Sequence, residues 1–249
     1  MVHMGIVGLN VADTITAAVR GNREFCAQMN EKVLRHFVAM IVERGRHARF
    51  LRFLDSLVFV EGEPMKRNQD LVLRLVLDER SSVIDIDGDR ISETGQRTSR
   101  LELLLSGEHL KRLASVVVYH ATCVDLLAKC AEGKCPGTEV KLRDMVTWDH
   151  CVRNILDLDL RPDGSQADPS EAAVAPQVYL DGLRLVRAPF VRLLLNVHIN
   201  TQLAVETQFS RWWPVPGERS VMGEFVLQVQ QLTERLEQAG AGLHGGAGA

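Results

Sequence analysis

The apolar residues between positions 110 and 128 recur mostly in steps of three and four, and this helical period is the strongest constraint on the fold. The stripe consists of Leu110, Leu113, Ala114, Val117, Ala121, Val124 and Ala128. Gly133 is expected to end the helix in the left-handed conformation, and Pro136 with Gly137 is expected to turn the chain. Thr138 is expected to cap a second helix by accepting a hydrogen bond from a free amide. The stretch therefore predicts helix, tight turn and helix, which is the unit of a stacked helical solenoid.

The helical period continues through most of the chain. It predicts helices over residues 23–44, 46–60, 66–78, 108–132, 138–146, 148–158, 177–198, 200–213 and 218–239, with Pro189 as a kink or break. The polar residues 78–100 predict a long loop, residues 161–176 a surface insertion, and residues 240–249 a disordered low-complexity tail. The best strand candidate, Ser82–Asp87, is short. The sequence thus predicts an all-α domain over residues 1–239, in which helix pairs stack into an α-solenoid rather than a four-helix bundle.

The composition of the 249 residues argues against several classes of protein. A net charge of −3 and an aromatic content of 5% do not favour nucleic-acid binding. Five irregularly spaced cysteines argue against a secreted disulfide framework and for a reducing compartment. No window reaches the roughly 18–20 apolar residues of a membrane span, and no signal peptide is visible. We therefore expect a cytosolic chain that does not itself insert into a membrane.

Residues 119–141 resemble a signature of the intracellular calcium-release channels, the inositol trisphosphate receptors and ryanodine receptors. The resemblance is carried by Tyr119, His120, Val124, Leu126–Ala128, Cys130, Glu132–Lys134 and Thr138–Lys141. Similar runs follow the family's order upstream at Asn30–Val33, His36–Val38, Phe53 with Leu54, Val60–Glu63 and Lys66–Asp70, and downstream at Leu193–Phe209. The chain is most similar to the second armadillo-like homology domain of the inositol trisphosphate receptor.

The resemblance implies a non-catalytic, armadillo-like solenoid that relays ligand-driven motion toward a channel pore outside this chain. It implies partners among other domains or subunits of the channel, on the cytosolic face of the endoplasmic reticulum or another calcium store, and no cofactor. The residues expected to form its structural motif are Phe53, Leu54, Leu57, Tyr119, His120, Leu126, Leu127, Gly133, Lys134, Thr138, Glu139 and Lys141. The turn Cys135–Gly137 and the insertion at 161–176 depart from the family pattern. An independent armadillo-like adaptor that binds a protein or peptide in its concave groove is the alternative.

The sequence contains only incomplete versions of metal, nucleotide and catalytic motifs. The run Asp85, Asp87 and Asp89 begins like a calcium loop, but Arg90 and Gln96 stand where the motif needs Gly and Glu. The spacing of Cys130, Cys135, His150 and Cys151 is not that of a zinc finger. The arginines between positions 44 and 52 are expected to form a solvated face or a domain contact rather than a phosphate site. The sequence therefore predicts no catalytic residue, no metal and no cofactor.

Overall fold

The computed structural model describes residues 11–86, 90–91, 97–98, 110–156 and 176–202, which lie in a compact unit comprising residues 1–203. The helices are α1 (Val11–Val19), α2 (Arg23–Ala27), α3 (Glu31–Arg44), α4 (Ala48–Val58), α5 (Lys66–Asp78), α6 (Arg80–Val83), α7 (Leu110–Cys130), α8 (Pro136–Met145), α9 (Trp148–Leu156) and α10 (Pro176–Leu194), and a π-helical turn follows at Leu195–Ile199. Strand structure in these ranges is limited to two antiparallel pairs, β1 (Phe59–Val60) with β2 (Glu63–Pro64) and β3 (Arg90–Ile91) with β4 (Arg97–Thr98). The predicted all-α class is confirmed.

The single helix predicted over residues 23–44 is two helices. Asn30 begins α3, because its side chain accepts a hydrogen bond from the amide of Lys32 at 2.8 Å. Gly45 ends α3 as predicted, at φ +89°. The hydrophobic period did not reveal the break, since a cap is a local hydrogen bond and leaves the phase of the apolar residues unchanged.

The segment predicted as helix to residue 60 ends at Val58 and continues into a hairpin. Glu61 and Gly62 both have positive φ, +53° and +83°, which is the conformation of a two-residue type I′ turn. Downstream, the strand candidate at 82–87 is not a strand where it is described: Val83 ends α6, and Ile84–Ile86 are irregular. The hairpin therefore replaces the predicted end of the helix at residues 59–60, and helix α6 lies within the predicted loop at 78–100.

Further differences concern both ends of the described chain. Helix α1 was not predicted, although it buries Ala12, Thr16 and Val19. The sequence predicts a kink or break at Pro189. Helix α10 runs from Pro176 to Leu194 with Pro189 in its interior, so the helix does not break there, and the kink stays a prediction. The predicted helix at 200–213 is described only at residues 200–202, which are not helical. Of the predicted insertion at 161–176 only Pro176 is described, where it begins α10, and the predicted helix at 218–239 and the tail lie outside the described residues.

Helix α7 is central in this packing. It contacts α4 and α5 on one side and α10 on another, while α1 packs on α4 and α9 packs on α10. Within the core, the rings of Phe37 and Phe53 stack at 3.6 Å between centroids, and Phe50 meets Phe37 edge-on at 6.4 Å. This side-by-side packing is compatible with stacked helix pairs, and the armadillo-like solenoid stays a prediction. None of the described helices combines the length and apolarity that crossing a bilayer requires.

Candidate functional site

The apolar residues of the predicted motif lie in the core where α4 packs against α7. Phe53, Leu54 and Leu57 of α4 are fully buried, and Leu126 and Leu127 of α7 are 1% exposed. Helical spacing places such residues on one face of each helix. The motif therefore supplies buried apolar residues to two helices that pack on each other.

Tyr119 and His120 fasten α7 to the segment after α6. The hydroxyl of Tyr119 donates to the carbonyl of Val83 at 2.6 Å, and Nδ1 of His120 lies 2.6 Å from the carbonyl of Asp85. A carbonyl only accepts, so Nδ1 of His120 carries the proton. Both side chains are buried, and burial raises the pKa of Tyr119.

The turn between α7 and α8 is shaped by contact with the β1–β2 hairpin. Gly133 has φ +80°, and a Cβ at this position would lie 2.4 Å from Cγ of Pro64. The next residue, Lys134, is also left-handed, at φ +59°. Glycine is therefore required at position 133 for two reasons: the backbone is left-handed there, and the hairpin lies too close for a side chain.

Helix α8 does not begin as predicted. Cys135 occupies the N-cap position and Pro136 the first turn, where its missing N–H costs no hydrogen bond. Thr138 lies inside the helix, and its hydroxyl donates to the carbonyl of Cys135 at 2.9 Å. The prediction that Thr138 caps the helix is wrong, because the proline that was assigned to the turn fits the helix start.

Glu139 and Lys141 connect α8 to other elements in different ways. Glu139 is fully buried, and its Oε2 accepts from the hydroxyl of Thr201 and from the amide of Gln202 at 3.1 Å. Lys141 forms an ion pair with Asp70 at 2.9 Å, with both side chains largely exposed. Exposed pairs contribute about 0–1 kcal/mol. Glu139 is thus the stronger connection of the two.

Two buried amides that the sequence analysis did not assign to a site bind carbonyls at the end of α7 from two different elements. Nε2 of Gln69, on α5, donates to the carbonyls of Lys129 at 2.8 Å and Glu132 at 3.0 Å. Nδ2 of Asn196, in the π-helical turn, donates to the carbonyl of Ala128 at 3.0 Å. We call Gln69 and Asn196 the α7 clamp. The sequence contained a signal for Gln69, because an uncharged polar residue beside the apolar positions of α5 is expected to be buried. A buried polar group is expected to form hydrogen bonds.

The π-helical turn that carries Asn196 is itself anchored to α8 and its end. Arg143 of α8 donates to the carbonyl of Val197 at 2.9 Å. Nε2 of His198 lies 2.8 Å from the carbonyl of Val146 and therefore donates to it. Burial lowers the pKa of His198. The clamp thus continues from α7 into α8.

A cluster of charged residues lies between α4, α7 and α10. Nζ of Lys129 is 2.8 Å from Asp55 and 3.1 Å from Asp125, and Arg192 contacts Asp125. Burial alone would lower the pKa of Lys129, but the two carboxylates outweigh it and raise the pKa. Lys129 is therefore a charged link between α4 and α7.

No metal centre emerges from the described part of the chain, where no group of three or more His, Cys, Asp or Glu could hold an ion. Cys130 and Cys151 are buried free thiols, and burial raises the pKa of both. The carbonyl of Asp85 accepts from His120, and the other two positions of the acidic run lie outside the described residues. The described arrangement consists of packing and hydrogen-bond connections between helices.

Comparison with known proteins identifies two similarities. Residues 5–85 match the family model of the RIH domain, the ryanodine and inositol trisphosphate receptor homology domain. The chain is also 29% identical over 145 residues to the inositol 1,4,5-trisphosphate receptor of Caenorhabditis elegans, an alignment that covers 56% of this chain and 5% of that receptor. The matched segment is thus a small part of the worm receptor's length. The family model covers the upstream part of the resemblance, whereas the motif at 119–141 lies beyond it.

Proposed function

Because the chain belongs to the family of inositol trisphosphate and ryanodine receptors, we propose that it is a non-catalytic domain of a calcium-release channel. Its role is mechanical: ligand-driven motion arriving at one end of the helical stack is passed on toward the pore. Its partners are then other domains or subunits of the channel, on the cytosolic face of a calcium-store membrane. Such a relay needs elements that move together rather than deform.

The α7 clamp is the observation that supports this role. Gln69 and Asn196 reach the same helical turn from α5 and from the π-helical turn, which are 127 residues apart in sequence. A displacement of α5 is therefore passed through the end of α7 to the chain around Asn196. Glu139 and Arg143 extend the connection to α8.

The energy of the clamp is sufficient for this coupling. A buried hydrogen bond contributes about 0.5–1.5 kcal/mol, and a buried acceptor left without its donor costs about 1–3 kcal/mol. Gln69→Leu removes one donor from each of two carbonyls, of which that of Lys129 keeps its bond to the amide of Glu132. The last turn of α7 should then open more often, and the π-helical turn should lose its fixed support.

Hydrogen exchange followed by mass spectrometry tests the coupling in the chain itself. Gln69→Leu should accelerate exchange at residues 195–202, which Gln69 does not touch, by about fivefold to a hundredfold if opening becomes easier by about 1–3 kcal/mol. Gln28→Leu is the matched control, because Gln28 is exposed and its amide only reaches Glu24 at 3.5 Å. Unchanged exchange at 195–202 in Gln69→Leu would show that the clamp transmits nothing.

The channel role is tested in the full reading frame that encodes this chain. If pore helices are encoded downstream, Gln69→Leu should reduce ligand-triggered calcium release while ligand binding stays normal, and Gln28→Leu should not. A reading frame without membrane-spanning helices would instead favour the adaptor. Normal calcium release in the Gln69→Leu channel would contradict the relay even if the exchange result holds.

A further inference from the structure

An open groove of about 430 Å³ lies between α4, α7 and α10, next to the end of α1. Its volume falls within the range of roughly 300–1,000 Å³ that binding pockets have. Leu185, Ala188 and Pro189 of α10 form an apolar wall, and the side chain of Leu185 is exposed. Neither Gln69 nor Asn196 lines this groove, although Lys129 borders both sites: its carbonyl accepts from Gln69, and its Nζ pairs with Asp55 and Asp125.

The charges on the floor of the groove are balanced. Asp55 and Asp125 both line it. Lys129 contacts both carboxylates, and Arg192 contacts Asp125. Two cations therefore pair with two anions at the floor.

The rim of the groove carries excess positive charge. Arg20 and Arg52 line it, both are exposed, and neither has an ion-pair partner among the residues that the structure describes. Exposed arginines are ordinary on a protein surface, but here two flank one apolar wall. The surface therefore combines an apolar wall with two guanidinium groups that form no ion pair with any described residue.

We propose that this groove docks an acidic segment of a partner protein, with an apolar side chain against the wall of α10 and flanking carboxylates on Arg20 and Arg52. Guanidinium groups bind carboxylates through paired hydrogen bonds. Helical segments commonly insert apolar anchors into such grooves while flanking charges set orientation and specificity. The inference does not depend on the channel assignment.

The apolar wall decides between an acidic peptide and a phosphate-rich ligand. A polyphosphate could pair with Arg20 and Arg52, but it has no apolar group to place against Leu185, Ala188 and Pro189. A peptide can direct its carboxylates to the rim and its apolar side chain to the wall. Complementarity of both charge and polarity therefore favours the peptide.

The test is fluorescence anisotropy with the full chain and a labelled synthetic peptide of about 14 residues, a length at which an isolated helix is marginally stable. The peptide has Leu on one face and Glu on both flanks, and a second peptide replaces every Glu with Lys. The Glu peptide should bind with an affinity that falls as salt is raised. Binding of both peptides with equal affinity would overturn the proposal.

Charge-reversed variants locate the site. Arg52→Glu should weaken binding of the Glu peptide by about tenfold or more, because attraction becomes repulsion, and Arg20→Glu should act in the same direction. Arg44→Glu is the matched control, since Arg44 is an exposed arginine outside the groove. The double variant Arg20→Glu/Arg52→Glu should prefer the Lys peptide, which separates a change of specificity from misfolding.

Three results would each overturn the proposal. The Glu peptide could fail to bind, Arg44→Glu could weaken binding as much as Arg52→Glu, or inositol hexakisphosphate could displace the peptide at equal concentration. The last outcome would indicate a small anionic ligand instead. Failure of this test leaves the relay untouched, because that is measured by exchange at residues 195–202.

Discussion

Replacing Gly133 with Ala should destabilise the chain more than any comparable glycine substitution among the described residues. Two constraints meet at this position: φ is +80°, and a Cβ would lie 2.4 Å from Cγ and 3.0 Å from Cβ of Pro64. The ring of Pro64 cannot simply rotate away, because it is closed onto the backbone of β2. Either the α7–α8 turn or the β1–β2 hairpin must shift.

The two constraints have separable energies. A left-handed conformation costs a residue with a Cβ about 1–2 kcal/mol, and overpacking a tight contact costs about 1–3 kcal/mol. Gly133→Ala should therefore lose about 2–5 kcal/mol of unfolding free energy. A domain of this size loses about 2–4 °C of melting temperature per kcal/mol, so the midpoint should fall by about 4–20 °C.

Chemical denaturation monitored by circular dichroism measures the loss, and two further glycines provide matched controls. Gly62 has φ +83° but nothing within 4 Å of its virtual Cβ, so Gly62→Ala should cost only the backbone term of about 1–2 kcal/mol. Gly137 has neither constraint, and Gly137→Ala should be neutral or slightly stabilising. Each Gly→Ala substitution also lowers the backbone entropy of the unfolded chain. This effect is the same in all three variants, so it cancels when their unfolding free energies are compared.

A double-mutant cycle with Pro64→Ala isolates the contact. Removing the ring should recover about 1–3 kcal/mol in the Gly133→Ala background and should not do so in the Gly62→Ala background. If Gly133→Ala and Gly62→Ala lose the same free energy, the hairpin does not press on the turn and the packing described for this contact is wrong.

Two more predictions concern buried side chains. Leu127→Ala should cost about 2–5 kcal/mol, because Leu127 is 1% exposed in the core of α7; an unchanged melting temperature would contradict this packing register. The lowered pKa of His198 makes it neutral in the folded chain, so its stabilisation is complete above the unfolded pKa near 6.5 and is lost as the pH falls toward the folded value. His198→Gln keeps a donor for the carbonyl of Val146 but has no imidazole to protonate. Between pH 7 and pH 5 the variant should therefore lose less unfolding free energy than the parent chain, and the difference between the two losses should be at most about 1.4 kcal/mol per pH unit.

The buried surfaces of the helices could be predicted well from the sequence, because burial imposes a period of 3.6 residues. Helix α5 begins and ends where the period predicts, at Lys66 and Asp78, and the buried state of Leu127 follows from the same pattern. Gly45 was also identified, since a glycine after a helix is a local signal. These features depend on neighbouring residues alone.

The connections between helices could not be predicted, because each pairs residues far apart in sequence. The contact of Gly133 with Pro64 and the bonds of Gln69 to Lys129 and Glu132 exist only once the helices have packed. No local pattern states which carbonyl a buried amide will meet. The sequence alone determined which helix faces are apolar and where most helices end. The tertiary structure decided the partners of the buried polar groups. An unpaired donor or acceptor in the core costs about 1–3 kcal/mol, and only a packed partner removes that cost.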